Sequence, residues 1–251
     1  MATSDIRVSV VIPVRNRGGV RLENCLRSLR WQSVDSSAYE VLISDFGSDP
    51  EALADVRQRA AANGVRVVHT PTEEVWNRAR ALNIGIQETR GEFVFCTDAD
   101  MIFADNFLET ILDVLGRRPR TMIHCGCNDL PESVPEQLWT RADLDELFQR
   151  STRRATRGTG ACQAALREFF FEVRGYDERF RFWGYEDLDM TSRATCYGLD
   201  VEWISERTYM LHQWHPSVKL DRNFQRKINR WRYELTKQRV QKNRGGWGLR
   251  A

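Results

Sequence analysis

The chain has 251 residues, of which 41% are hydrophobic and 29% charged, and carries a formal net charge of +2, a composition that excludes a disordered chain. No apolar run approaches the roughly 18–20 residues a bilayer crossing needs, and residues 1–5 lack the basic-then-apolar start of a secretory leader, so neither spanning nor secretion is expected. Six scattered cysteines, several inside apolar segments, read as buried thiols in a reducing cytoplasm; Cys125-Gly126-Cys127 alone is weak support for zinc without a second pair nearby.

Val8 to Val14 is a short run rich in β-branched residues, ended by Pro13 and the turn-prone Arg15-Asn16-Arg17-Gly18-Gly19, and predicts a strand buried on both faces as in a parallel sheet. Leu22, Cys25, Leu26 and Leu29 then recur at helical spacing, and Tyr39 to Ser44 forms a second apolar run ending at Asp45. Glu51 to Ala62 predicts a helix stopped by Asn63-Gly64, and Val65 to His69 a third strand. A helix over about Asn77 to Glu88, closed by Arg90-Gly91, precedes a fourth strand, Phe93 to Thr97, which delivers Asp98-Ala99-Asp100 at its carboxyl end. Strand and helix alternate through this half, which predicts an α/β architecture with ligands bound beyond the carboxyl ends of the strands.

The second half is less regular. Phe107 to Leu115 predicts a helix, Thr121 to Cys127 a strand, and Pro131 to Gln149 loop and polar helix. Ser151 to Gly160, basic and rich in small residues, predicts a mobile loop. Asp187 to Cys196 and Lys219 to Asn243 predict further helices. From Lys219 to Ala251 there are eleven Lys or Arg against two Asp or Glu, so this stretch is a basic element distinct from residues 1–218, which are net acidic. Phe224, Ile228, Trp231, Leu235 and Val240 follow helical spacing among these charges, a pattern that suits an anionic membrane surface or a protein partner, and equally a helix packed on its own domain with a solvated basic face. Nucleic acid is not expected as a partner, because no recognised binding module accompanies the charge.

Three clusters carry chemistry. Two carboxylates as close as Asp98 and Asp100 repel unless a cation offsets them; Mn²⁺ or Mg²⁺ would do so and share its remaining positions with phosphates, whereas the plainer reading is a solvated turn. Trp183-Gly184-Tyr185-Glu186-Asp187 joins aromatics to acids, which suits either a sugar platform or the capping of a helix N-terminus. His212 and His215 place two of the four histidines in one short stretch, as metal ligands or as structural residues.

In their order and spacing these blocks resemble family 2 glycosyltransferases, and the second half resembles the β-1,4-galactosyltransferase, chondroitin polymerase and polypeptide N-acetylgalactosaminyltransferase branch of the GT-A fold. The resemblance covers about Val8 to Pro216. Val10 to Asn16 resembles the opening strand and nucleotide loop, which puts Pro13 and Arg15 at the donor, and Ser44-Asp45-Phe46-Gly47-Ser48-Asp49 resembles the D-D-G-S element, with Asp45 at the uracil and Phe46 in place of the second acid. Trp76-Asn77-Arg78-Ala79-Arg80-Ala81-Leu82-Asn83-Ile84-Gly85 resembles F-N-R-A-x-x-L-N-x-G, which implies that Arg78, with Asp98, lies at the nucleotide sugar and that Asp100 binds Mn²⁺. Gly175-Tyr176-Asp177-Glu178 and Trp183-Gly184-Tyr185-Glu186-Asp187 resemble G-F-D-E and W-G-G-E-D, with Trp183 at the sugar and Tyr185 where glycine is usual. His212 resembles the downstream metal histidine, and His215 is its alternative.

The resemblance implies a GT-A domain over residues 1–218, Rossmann-like, with a mostly parallel central sheet flanked by helices, followed by a basic helical tail over residues 219–251. It implies an inverting, metal-dependent transfer of a hexose or N-acetylhexosamine from a UDP-sugar to a carbohydrate hydroxyl. Asp187 is then the general base and Glu186 holds sugar hydroxyls, with the reverse assignment open. Metal ligands far apart in sequence suggest a loop that closes on the donor, with Ser151 to Gly160 as a candidate. Two alternatives stand beside this reading. A non-catalytic carbohydrate-binding or scaffold protein would keep the fold, and a nucleotidyltransferase would require a Gly-rich phosphate loop with lysine that Arg15 to Gly19 reproduces poorly. The expected location is cytoplasmic, with the tail offering contact with the inner membrane face.

Overall fold

A computed structural model describes residues 6–155, 158–182, 184–216 and 223–249. Strand β1 (Val8–Val14) is buried along its whole length, as its unbroken apolar sequence requires of a strand covered on both faces. It pairs in parallel with β2 (Tyr39–Phe46) and β4 (Phe93–Cys96), and β2 pairs in parallel with β3 (Arg66–Thr70). On the far side of β4, β9 (Gln163–Leu166) runs antiparallel to it and to β6 (Thr121–His124), which pairs in parallel with β10 (Asp200–Trp203). The result is a 7-stranded sheet of order β10-β6-β9-β4-β1-β2-β3, parallel except at β9. Pro13 is tolerated in so central a strand because β4 pairs only as far as Val11, and no partner there waits for its missing N–H.

Helices cover both faces. Val10 and Ile12 belong to the core built with α1 (Gly19–Arg30) and α4 (Phe107–Arg117), while Val11 belongs to the opposite core with α3 (Arg78–Gln87), α6 (Arg167–Glu172) and α7 (Glu186–Tyr197). Helix α2 (Pro50–Ala62) packs beside α1, and α5 (Leu144–Arg150) joins a smaller cluster. At Gly85 a Cβ would stand 2.5 Å from Val11 Cγ1, so only glycine lets α3 lie this close to the sheet.

A 4-stranded second sheet, order β5-β11-β7-β8, was not foreseen from sequence. It joins β5 (Met101–Phe103), β7 (Cys127–Asp129), β8 (Thr152–Arg153) and β11 (Met210–His212). Two expectations need correction here. The predicted strand Thr121 to Cys127 breaks at Cys125-Gly126, where the Gly126 N–H turns to Ser205 Oγ and the chain passes from one sheet to the other. The predicted mobile loop Ser151 to Gly160 begins as strand β8, held antiparallel against Asn128 and Asp129; Thr156 and Arg157 lie outside the described residues.

The predicted tail helix is also shorter than expected. Helix α8 runs over Asn223–Thr236, and the chain then turns so that Lys242 Nζ donates to the Thr236 carbonyl (2.8 Å) and hydroxyl (2.7 Å), which ends the helix before Asn243. Lys219 to Arg222 lie outside the described residues. Residues 223–249 lie against the rest of the chain, with Trp247 edge-on to Phe171 and Gly248 N–H bonded to Glu178. The described cysteines are free thiols, all buried except Cys196. Among the described residues no helix is long and apolar enough to cross a membrane.

Candidate active site

The carboxyl ends of β1, β2 and β4 supply one rim. Asn16, in left-handed backbone, clasps the next loop: its Nδ2 donates to Asp49 (2.9 Å), its Oδ1 accepts from the Asp49 N–H (2.8 Å), and its own N–H reaches Ser48 Oγ (2.8 Å). This fixes the Pro13-Val14-Arg15-Asn16 stretch against Asp45 to Asp49. Asp45 is fully buried at the end of β2, where its carboxylate meets His69 Nδ1 at 2.8 Å and accepts from the Ser48 hydroxyl. From sequence alone His69 is no more than the end of a strand. Arg15 reaches the Glu74 carbonyl, and Phe46, which replaces an acid, is buried beside Trp76 with the Arg80 guanidinium 5.7 Å from its ring centre.

Asp98 and Asp100, one residue apart beyond β4, face different partners. Asp98 Oδ1 accepts from Arg78 Nε (2.9 Å), at the first residue of α3. Arg78 is buried; its Nη2 donates to the Gly160 carbonyl (2.7 Å) and its Nη1 stands 3.8 Å from Glu186 Oε1. Burial alone would lower the Arg78 pKa, but Asp98 and Glu186 outweigh it and hold the guanidinium protonated. Arg78 Nη1 and Glu186 Oε2 are buried without hydrogen-bond partners, a costly state that a bound polar ligand would relieve. Glu186 and Asp187 open α7, where its dipole favours negative charge. Asp187 Oδ2 accepts from Thr159 Oγ1 (2.7 Å), and its backbone carbonyl accepts from Gln163 Nε2 (3.0 Å). Arg78 therefore joins the Asp98 end of the sheet to the Glu186-Asp187 end of α7. Trp183 lies outside the described residues.

Asp100 faces the two histidines. One ligand atom from each of Asp100, His212 and His215 lies within 4.8 Å of the others, the only such metal-ligating group among the described residues. His212 Nδ1 is 3.0 Å from Asp129 Oδ1 and its Nε2 is 3.8 Å from Asp100 Oδ2. His215 Nδ1 is 3.1 Å from the Pro216 carbonyl and its Nε2 is 3.3 Å from the same Asp100 oxygen. Both rings thus occupy Nδ1 with an acceptor and turn Nε2 inward, so two imidazole nitrogens and one carboxylate oxygen converge, a donor set that fits Mn²⁺. The His215–Asp100 hydrogen bond leads the forces that raise the His215 pKa. Burial pushes Asp100 up, but that bond and the neighbouring imidazoles outweigh it and hold the carboxyl low.

Asp129, which sequence reading did not single out, is itself paired with Arg154 through Nε (2.8 Å) and Nη2. A carboxylate on the far nitrogen of a metal histidine fixes the ring's tautomer and raises its basicity. Asp129→Ala is therefore expected to weaken Mn²⁺ binding by about 10–100-fold, measured by isothermal titration; affinity equal to wild type would show that His212 needs no such support.

The family models bear directly on this arrangement. The one described as "Glycosyl transferase family 2" matches residues 9–174, and "N-terminal domain of galactosyltransferase" matches residues 146–216. The chain belongs to glycosyl transferase family 2. It is 36% identical over 247 residues to a probable N-acetylgalactosaminyltransferase 9 of Caenorhabditis elegans, an alignment covering 86% of this chain and 42% of that protein. The chain thus spans less than half the length of this relative. The fold is shared with GalNAc-T7, crystallised with UDP, GalNAc and Mn²⁺ (TM-score 0.64, 18% identity, 84% of this chain and 44% of that one). It is also shared with a Pyrobaculum calidifontis mannosyltransferase crystallised with GDP-Man and Mn²⁺ (TM-score 0.62, 18% identity, 92% of this chain and 62% of that one). The architecture is accordingly the GT-A α/β fold.

Proposed function

We propose that this family 2 chain is an inverting, metal-dependent glycosyltransferase that moves a hexose or N-acetylhexosamine from a UDP-sugar to a carbohydrate hydroxyl. The observation that carries this reading is the inward convergence of Asp100, His212 and His215 next to the Asp98–Arg78–Glu186 chain that ends on Asp187. Asp100, His212 and His215 would hold Mn²⁺ or Mg²⁺, which when bound offsets the charge that develops on the departing nucleoside diphosphate. Pro13, Arg15 and Asp45 belong to the nucleotide side by their place at the rim, Asp45 beneath it with its carboxylate held by His69 and Ser48, and Arg78 with Asp98 and Glu186 orients the sugar. Asp187 takes the proton of the acceptor hydroxyl as its oxygen bonds to the anomeric carbon, while the bond from that carbon to the diphosphate oxygen breaks on the opposite face. Attack and departure on opposite faces invert the configuration.

Incubation with a panel of UDP- and GDP-sugars, Mn²⁺ and p-nitrophenyl hexosides tests this directly. Nucleoside diphosphate is expected from a UDP-hexose or UDP-N-acetylhexosamine; none from any donor would favour a carbohydrate-binding protein on the same fold.

Burial, helped by the Asp187 charge and opposed by Arg78, pushes the Glu186 carboxyl from 4.5 up to about 7. Between those values the folded protein binds more protons here than the unfolded chain does, so this group's contribution to stability falls as pH rises through the interval and stays low above it. The loss is up to about 3 kcal/mol, at roughly 1.4 kcal/mol per pKa unit. Glu186→Gln is expected to flatten the stability curve between about pH 5 and 8, followed by thermal denaturation. Parallel curves for the two proteins would mean that Glu186 ionises as an ordinary carboxylate.

Helix α8 bears Phe224, Trp231 and Leu235 on its outer side, exposed by 74%, 67% and 58%, among Arg226, Lys227 and Arg230. Aromatics interleaved with cations fit an anionic lipid surface. Co-sedimentation with vesicles containing phosphatidylglycerol is expected to drop in a Phe224→Ser, Trp231→Ser variant; equal sedimentation rules the helix out as the contact.

A further inference from the structure

The inner side of α8 makes a second set of contacts, with the segment that leads into Glu186 and Asp187. Asn229 is fully buried, and its Nδ2 donates to the carbonyls of Arg181 (3.1 Å) and Gly184 (3.2 Å), two residues before Glu186. The Tyr233 ring centre lies 5.7 Å from that of Tyr185, and its hydroxyl is 3.0 Å from Ser192 Oγ on α7. Tyr185 has φ +76°, a left-handed conformation that costs a tyrosine energy and that the surrounding structure must hold.

Beyond α8 the chain continues along the same region. Lys242 Nζ is buried 3.1 Å from Asp189 Oδ1 and 3.6 Å from Asp177 Oδ2. Asn243 Oδ1 accepts from the Glu178 N–H (3.1 Å), and its Nδ2 donates to the Tyr176 carbonyl (2.7 Å). One segment thus grips both Gly175-Tyr176-Asp177-Glu178 and Gly184-Tyr185-Glu186-Asp187. Neither family model extends past residue 216.

We infer that residues 223–249 form a strap whose Asn229 and Tyr233 are positioning residues for the segment before Asp187, and that the Tyr185–Tyr233 pair sets which acceptor sugars are taken. Tyr185 directly precedes Glu186 and Asp187, and its ring lies against that of Tyr233, so the strap decides where it stands. The inference rests on the transferase reading, through its assignment of the acceptor side.

The wild-type chain, Asn229→Ala, Tyr233→Ala and Tyr233→Phe would be compared with UDP-sugar, Mn²⁺ and the p-nitrophenyl hexoside panel, alongside hydrogen exchange. In Asn229→Ala and Tyr233→Ala, acceptor KM is expected to rise about tenfold and amides 184–189 to exchange faster, with the Kd for UDP–Mn²⁺ within about twofold of wild type. Tyr233→Phe, which keeps the ring, is expected to restore wild-type KM and the wild-type order of preference among the hexosides. Unchanged acceptor KM in folded variants, or a parallel loss of UDP–Mn²⁺ affinity, overturns the inference. Should Asn229→Ala fail to fold, the Tyr233 pair decides, since that side chain is only half-buried. A wild type that turns over no donor defeats instead the transferase reading beneath it.

Discussion

Asp187→Asn is expected to lower sugar transfer by about 10²–10⁴-fold, the usual worth of a positioned general base, with donor affinity unchanged. The two acids that open α7 differ in their surroundings, and the proposed roles follow that difference. Glu186 is buried against Arg78 with its pKa raised to about 7, so near neutrality a large fraction is protonated and fit to donate a hydrogen bond rather than to take a proton. Asp187 is only partly buried and is oriented by the Thr159 hydroxyl at the start of α7. Asparagine keeps the shape and the bond to Thr159 but cannot accept the acceptor's proton. The measurement is turnover at saturating donor beside donor affinity by titration. Turnover close to wild type, with Glu186→Gln instead the inactive variant, would exchange the two roles.

Asp100→Ala is expected to abolish tight Mn²⁺ binding, seen as loss of the protein-bound Mn²⁺ signal by electron paramagnetic resonance, and to cut transfer by at least about 10²–10³-fold. That range follows from several kcal/mol of metal-derived stabilisation at about 1.4 kcal/mol per tenfold. Chelation of the wild type should give the same inactive state and added Mn²⁺ should reverse it, whereas the variant should stay inactive at Mn²⁺ concentrations that restore the wild type. Full activity after exhaustive chelation would show that Asp100 and the two histidines serve some other purpose.

The first half of the chain was legible because its information is local. Val8 to Val14 and Phe93 to Cys96 are continuous apolar runs, and a strand buried on both faces can be read from such a run alone, so Asp98 and Asp100 fell where a ligand-facing rim was expected. The imidazole pair was legible as spacing, although sequence could not show that His212 and His215 both reach Asp100. What escaped were polar residues whose meaning comes only from distant partners. Asp129 and Arg154 sit in or beside strands of two or three residues, too short to carry any period. Thr159 looked like part of a solvated basic loop, and Asn229 and Lys242 like the outside of a charged helix, yet each is buried by contacts 28 to 53 residues away. The ligand atoms of Asp100, His212 and His215 converge although the residues lie far apart in sequence.

The reason lies in the pairing of β5 with β11. Met101 faces His212 across that antiparallel ladder, and the Gln213 N–H donates to the Asp100 carbonyl at 3.0 Å. The spacing between the acid and the first imidazole is therefore a property of main-chain register, indifferent to which side chains occupy those positions. Exchanging the functional groups at 100 and 212 should retune the choice of cation while leaving its address in the molecule the same; inserting one residue into either strand should erase the address altogether.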